Sequence, residues 1–344
     1  MKVTGMTTAD SQQSNPDNAQ IKTLTRYTDL ANRQALYHVL RLARSFGVFD
    51  ILERGPCTVE TLATSCDVDL ETIRAVVYLL CHLEVVEQYG DDIALAAVMR
   101  LRSDMNPDFG QTQWERLVGL ADSENIARGE GSAEQTRRSY RNRMFEREWT
   151  LTPSALELAR VLGIGSQRCG LQILDWGCGT GIWGLTLAHR DVQANVTMVD
   201  WPEPMETVKG MAESIGIADR VTCVAGKFSE VNLPEDRFDL VLLANHLQLV
   251  APTAWTVLLE RIRGLLKVGG EIAVIDVFEG QEAGDVTRNV LALELSLAHP
   301  EFGICSPTVL QEQLAANRFG KPGYRHLEVP PYLFGVMLAA KELP

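Results

Sequence analysis

The sequence predicts an α/β protein in two parts: a mainly helical N-terminal region, then a parallel sheet covered by helices on both faces and closed by an antiparallel hairpin. Three observations carry this. From Leu171 onward, short apolar runs (LQILDW, VTMVDW, VTCVAG, FDLVLLAN, EIAVIDVF) alternate with amphipathic helical stretches. Runs of that length, rich in β-branched residues and separated by helices, are buried parallel strands. Near the end, YRHLEVPPYLFGVMLAA holds two strand-like runs separated only by Pro330-Pro331. That gap is too short for a crossover helix, so the two strands must be antiparallel. Ahead of all this, the apolar residues recur at helical rather than strand spacing.

Residues 1–20, MKVTGMTTADSQQSNPDNAQ, are polar and predict a disordered tail. In RQALYHVLRLARSFGVFD, Leu36, Val39, Leu40 and Ala43 share a helix face and Gly47 offers a stop. CTVETLATSCDV predicts a short helix. DLETIRAVVYLLCHLEVVEQYGDDIAL predicts a second, from about Leu70 to Leu83, then a β-ribbon turning at Gly90-Asp91. Helix, turn, helix and ribbon form a winged-helix pattern over residues 21–110. Two further amphipathic segments follow, around Trp114–Ala127 and Ala155–Leu162, and ARGEGSAEQTRRSYRNR between them predicts an exposed connection. Residues 111–165 form this helical connection, and 166–344 form the ligand-binding α/β domain.

The bulk numbers narrow the function. A chain of 344 residues has room for two domains. Its formal net charge is −13 and its pI near 5.0, a balance that repels nucleic-acid backbones and anionic lipid. Residues 21–100 carry eight Lys/Arg against eleven Asp/Glu. A DNA-reading winged helix needs the opposite sign, so dimerisation is its better use than regulation on DNA. The seven Cys lie scattered, with no CxxC pair, as reduced cytoplasmic thiols rather than a disulfide or zinc framework. No signal-peptide core and no 18-residue apolar run occurs, so export and membrane insertion are not expected.

The most specific chemical signal is ILDWGCGTGIWGLTLA. A strand ends at Asp175, glycines fall at 177, 179 and 181, and a helix begins. Glycine there permits a tight turn and close approach of backbone to a ligand. Asp200, nineteen residues after Gly181, ends the next strand, where an acid accepts ribose hydroxyls. Residue 182 is Ile, so the dinucleotide spacing GxGxxG is absent and a nicotinamide enzyme is the lesser alternative.

Asp175-x-Gly177-x-Gly179-x-Gly181 resembles motif I of the class I S-adenosylmethionine-dependent methyltransferases. VDWPEPMETVKGMAESIGIADRVTCVAGKFSE and LLKVGGEIAVIDVF are similar to segments of the small-molecule O-methyltransferases related to caffeic acid O-methyltransferase. YLLCHLEVVEQ and the helices before it resemble their N-terminal winged-helix dimerisation domain. The resemblance covers nearly everything after about residue 25. It implies a Rossmann-like seven-stranded sheet, a homodimer, and S-adenosyl-L-methionine as cofactor. By that resemblance the loop from Asp175 through Cys178 to Gly181 holds the methionine and ribose ends, and Asp200 binds the ribose diol. Trp201 and Phe228 flank the adenine, and Asn245 caps backbone or touches the cofactor. Lys227 stands where the family has an Asp accepting from the adenine amino group. Lysine has no acceptor, so that contact is lost or replaced.

The same resemblance locates the proton acceptor of O-methylation. In LLANHLQLVA, Gln248 falls on the position of the family's His, and Gln takes no proton at neutral pH. His246 lies two residues earlier and shares a face with Gln248 if the segment is extended. Otherwise it is a packed structural histidine. Gln248 and Leu249 stand where some relatives place iron ligands, so no metal is expected. Trp114, Met144, Phe145 and His299 are the candidate acceptor-binding residues, with Tyr140 and Trp149 as further lid aromatics. The helical-region side chains among them read more often as core, and His299 reads equally well as exposed. Cys178 is a small tolerated side chain rather than a nucleophile. The resulting expectation is methylation of a small, mostly apolar aromatic or polyketide-like metabolite at oxygen or carbon. The alternative is the same fold turned to non-methylating chemistry.

Overall fold

A computed structural model describes residues 16–100, 115, 133–228, 230–280, 286–330 and 332–342. The chain divides into two compact units, Met1–Pro107 and Asp108–Pro344.

The first unit runs α1 (Pro16–Ser45), α2 (Val48–Glu53), β1 (Cys57–Thr58), α3 (Val59–Cys66), α4 (Leu70–His82), β2 (Val86–Tyr89), β3 (Asp92–Leu95) and α5 (Ala97–Arg100). Helices α3 and α4 begin where short polar side chains cap free N–H groups. Thr58 accepts from Thr61 N at 3.2 Å and Asp69 from Thr72 N at 3.0 Å. The ribbon β2–β3 turns at Gly90, and β1 adds to β3, giving the order β1-β3-β2. Leu62, Ile73, Leu80 and Ile93 are fully buried between these elements. Helix α1 starts at Pro16, so the last five residues of the expected tail are helical. Proline suits a first helical turn because it lacks only an N–H that would have no partner there.

The second unit opens with α6 (Ala133–Met144), a 3₁₀ stretch (Phe145–Leu151) and α7 (Thr152–Val161). Five parallel strands follow with their helices: β4 (Gln172–Trp176), α8 (Ile182–Arg190), β5 (Asn195–Asp200), α9 (Pro202–Ser214), β6 (Val221–Ala225), β7 (Phe238–Ala244), α10 (Trp255–Leu265) and β8 (Leu266–Asp276). Helices α11 (Val286–Ala298) and α12 (Pro307–Ala316) lead to the hairpin β9 (Gly323–Leu327) and β10 (Phe334–Ala340). The sheet order is β6-β5-β4-β7-β8-β10-β9, and β10 is antiparallel to both neighbours, as the paired prolines required. Strands β4 and β7 are buried on both faces. Ile173, Leu240 and Leu242 pack into one apolar layer, and Leu174, Val241 and Leu243 into the other. That alternation is the two-residue period of a strand sandwiched between helices.

One sequence expectation fails here. The polar stretch 127–143 is helical from Ala133, and Tyr140 and Arg141 on it are buried. Its many Arg and Glu residues carry no apolar stripe, so no helix periodicity was visible. The segment around Trp114–Ala127 lies outside the described residues apart from Glu115. Among the described residues, no helix is long and apolar enough to cross a membrane.

Chain order reverses at β4: β5 and β6 build outward on one side and β7 and β8 on the other. The loops after β4 and β7 therefore diverge and leave a crevice at the strands' carboxyl ends, where open α/β sheets bind ligands. Leu242 sits beneath that crevice, fully buried between β4 and β8. Leu242→Ala is expected to cost about 2–5 kcal/mol, read as a lowered urea midpoint at unchanged slope.

Candidate functional site

The loop after β4 turns back on itself at Gly177 (φ 76°) and Gly179 (φ 57°), a backbone region that L side chains enter at a cost. Two anchors hold it. Gly177 N and Cys178 N donate to Val199 O at 2.8 and 3.2 Å, and Gly179 N donates to Asp200 Oδ2 at 2.8 Å. Asp200 also accepts from Trp201 N at 2.8 Å, fixing the start of α9. A Cβ at Gly177 would lie 2.7 Å from His246 Nδ1, and one at Gly179 would collide with Glu148 Oε1. The loop is thus a cradle that a side chain would fill.

Asp175 does not face the crevice. It is fully buried and accepts from Gly184 N at 2.8 Å, pinning α8 to the end of β4. Burial, opposed by that hydrogen bond and reinforced by the Asp200 and Glu148 charges, pushes its carboxyl up to about 7. Its other oxygen has no hydrogen-bond partner. Cys178 is buried, and burial pushes its thiol well above the ordinary range, so it is not a reactive thiolate.

On the adenine side expected from the resemblance, Trp201 is buried and Phe228 packs 5.6 Å from it at a tilt. Phe228 also stacks on Trp176 at 5.4 Å and meets the His246 ring edge-on at 5.0 Å. Lys227 is about half exposed and lies 3.8 Å from Glu230.

The loop after β7 separates the two residues proposed for proton transfer. The strand ends at Ala244, Asn245 takes φ 49°, and His246 leaves extended backbone, with φ −109° and ψ −45°. The two-residue face-sharing argument therefore lapses, because the chain is no longer a strand. His246 is buried against Gly177 and Phe228, with Nδ1 lacking a hydrogen-bond partner. Burial, then the positive charges of Arg141 and Arg137, hold its pKa well below the usual histidine value, so it is neutral. Gln248 is buried too. Its N–H lies 3.4 Å from Asp276 Oδ2, its carbonyl accepts from Gly303 N at 2.9 Å, and its Oε1 has no partner.

Sequence reasoning missed two side chains that dominate the crevice. Arg141 of α6 donates to Asp200 Oδ1 at 3.1 Å, to Asp200 Oδ2 at 2.6 Å and to Gly177 O at 2.6 Å. Glu148 accepts from Thr180 N at 2.7 Å and Thr180 Oγ1 at 2.5 Å, and burial raises its pKa despite these bonds. In RRSYRNRMFERE such charges read as a solvated face, and no local signal marks the two that turn inward. A cavity of about 30 Å³ remains, lined by Tyr140, Glu148, Trp183, Asn245, Gln248 and Leu249 among others. His299 is not among its lining residues. It packs 5.0 Å from Phe302, and its Nδ1 accepts from Glu301 N at 3.2 Å. Trp114 and the side chains of Met144 and Phe145 lie outside the described residues, as does any part they play in binding. Among the described residues, no cluster of His, Cys, Asp and Glu is placed to hold a metal.

Residues 173–270 match the family model described as a methyltransferase domain. The unit has the methyltransferase fold. The chain aligns with the solved mitomycin 7-O-methyltransferase at TM-score 0.67 and 18% identity, covering 94% of this chain and 99% of that one. It aligns with human N-acetylserotonin methyltransferase, solved with S-adenosylmethionine, at TM-score 0.65 and 20% identity, covering 98% and 100%. Curated relatives match over shorter stretches. Protein arginine N-methyltransferase 1 of Saccharomyces cerevisiae is 34% identical over 70 residues, one fifth of each chain. Demethylmenaquinone methyltransferase of Staphylococcus aureus is 27% identical over 172 residues, 49% of this chain and 69% of that protein. The chain thus spans about a fifth of the length of the arginine methyltransferase. In this methyltransferase fold the glycine cradle and the Asp200 carboxylate fit the ribose and amino-acid ends of S-adenosylmethionine. Lys227, at the position where the resemblance expects an acceptor for the adenine amino group, offers none.

Asp276 closes β8 beneath Gln248. It is fully buried, accepts from Val277 N at 2.9 Å, and burial pushes it up to about 7. A carboxyl that holds its proton more tightly when folded stabilises the fold below the unfolded value. That contribution is lost as pH rises from about 4 through 7. Unfolding free energy should fall over this window by up to about 1.4 kcal/mol per pH unit for the group. Asp276→Asn should flatten the decline, measured as urea midpoints at pH 5 and pH 8.

Proposed function

We propose that the protein is an S-adenosylmethionine-dependent methyltransferase acting on a small, mostly apolar metabolite, aromatic or polyketide-like, at oxygen or carbon. The observation that carries this reading is the Gly177–Gly179 cradle with Asp200 hydrogen-bonded to its backbone, set at the point where strand order reverses. The methyltransferase-domain match over these same residues supports it. So does an alignment along both units with small-molecule methyltransferases.

When bound, S-adenosylmethionine supplies an electrophilic methyl group on a sulfonium. The chain's own residues bind, align and exclude water. Asp200 accepts the ribose hydroxyls, and the Gly177 carbonyl is the acceptor available to the ammonium of the amino-acid end. Trp201 and Phe228 border the purine, and Asn245 lines the crevice from the β7 loop. Methyl transfer from a sulfonium is a displacement in which charge is neutralised, so alignment and a dry site dominate the task. Gln248, in the position of the family's His, hydrogen-bonds and orients. A buried neutral His246, turned toward Gly177 and Phe228, is a packed residue rather than a proton shuttle in this arrangement. The reaction accordingly suits an acceptor that is already ionised or a carbon nucleophile, neither of which needs a base. Association through the first unit belongs to the same reading, since α1 exposes Ile21, Leu24, Tyr27 and Leu30.

Incubation with S-adenosylmethionine and a panel of phenols and activated carbon acceptors is expected to yield S-adenosylhomocysteine with at least one acceptor. Calorimetry of Asp200→Ala is expected to show loss of S-adenosylhomocysteine binding. Unchanged affinity in that variant would remove the proposed ribose site.

A further inference from the structure

The hydrogen-bond capacity of Asp200 is already spent. A carboxylate offers about four acceptor sites on two oxygens. Oδ1 takes Trp201 N and Arg141 Nη1, and Oδ2 takes Gly179 N and Arg141 Nη2. The two backbone donors belong to the loop and helix that build the site and cannot leave without dismantling it. The two that a ribose diol would replace are those of Arg141. The same guanidinium donates to Gly177 O and lies 5.6 Å over the Trp201 ring. Seven residues on, Glu148 turns the opposite charge onto Thr180 N and Oγ1, at the mouth of the glycine loop where helix α8 begins. A cationic donor thus sits on the acceptors of the site, and an anionic acceptor sits on its donors.

Among the described residues, the cavity bordered by Arg141, Glu148 and Gly177 has about 30 Å³, room for roughly a water or two. Small-molecule sites of this class measure about 300–1,000 Å³. Both intruding side chains come from one stretch, residues 133–151, that also grips each rim of the crevice. Arg137 Nε donates to Leu249 O at 2.8 Å after β7, and Arg138 pairs with Glu203 in the first turn of α9.

We propose that residues 133–151 hold the site self-occluded: Arg141 and Glu148 occupy the ribose and amino-acid anchoring points, and cofactor binding exchanges these internal ligands for the cofactor's own groups. This rests on the methyltransferase reading above and adds its regulation. The physical logic is that Asp200 is almost wholly buried, and a buried carboxylate left unpaired is costly. Arg141 supplies the partner while the site is empty, and the ribose takes over when it is filled. Apparent affinity is then the intrinsic affinity reduced by the fraction of molecules in which the segment has withdrawn.

The test is S-adenosylhomocysteine binding to the full chain, followed by calorimetry and by stopped-flow tryptophan fluorescence. In the wild-type protein the observed rate should level off with ligand concentration, at the opening rate of the segment. Arg141→Met keeps the stem over Trp201 but loses the donors, and should bind about tenfold faster or more, with a rate linear in ligand. Because that variant strands Asp200 and can fold poorly, Arg138→Ala provides a second arm. It cuts only the exposed pair to Glu203, and should speed association about two- to fivefold, the worth of such a pair. Association unchanged in both variants, or linear in the wild type, overturns the occlusion. Weaker binding of Arg141→Met at unchanged association rate overturns it too, by making Arg141 a ligand of the cofactor. Absence of binding in wild type and variants alike overturns the methyltransferase reading and the occlusion with it.

Discussion

One carboxylate organises the α/β unit. Asp200 ends β5, and its two oxygens tie together the glycine loop after β4, the first turn of α9 and the guanidinium of Arg141. Each tie joins elements that the sheet alone would leave apart. The loop backbone enters positive φ at Gly177 and Gly179 because its amides must reach this acid and the carbonyl of Val199. The crevice floor is therefore tied together by these hydrogen bonds, and among the described residues the stretch 133–151 lies over it. A carboxyl group buried this deeply needs both oxygens hydrogen-bonded, and both are.

The floor and the ceiling differ in chemistry. The floor is backbone and apolar sheet, with Asp175 and Asp276 buried at the ends of β4 and β8 as spacers that pin α8 and the β7 loop. Their raised pKa values reflect burial, and what each carboxyl holds in the structure is backbone: Gly184 N for Asp175 and Val277 N for Asp276. The ceiling is charged. A charged ceiling over a site meant for a zwitterionic, nucleoside-containing ligand can hold it or stand in its place, and the bonding of Arg141 and Glu148 is that of a stand-in.

The proton-transfer question changes with the backbone at Asn245. Had β7 continued, His246 and Gln248 would have shared a face and one could have replaced the other. A positive φ at Asn245 breaks the strand and sends the His246 ring under Gly177, into contact with Phe228. The residue that keeps a place beside the cavity is Gln248, which cannot accept a proton at neutral pH. Under the proposed function, methyl transfer here rests on alignment and on the acceptor's own reactivity.

Local pattern alone determined the sheet, its terminal hairpin and the cradle. The β-branched runs, the short gap at Pro330-Pro331, and glycines followed at fixed distance by an acid each carry their physics within a few residues. Asp200 was legible for that reason. Its partner was not, because Arg141 lies fifty-nine residues away in a stretch whose composition says solvent, and only folding brings the two charges together. The turn of His246 away from Gln248 was hidden likewise, since one backbone angle at Asn245, in the loop after β7, decides it. Sequence periodicity determined which surfaces meet, and the tertiary structure decided which polar groups satisfy one another once they are out of water.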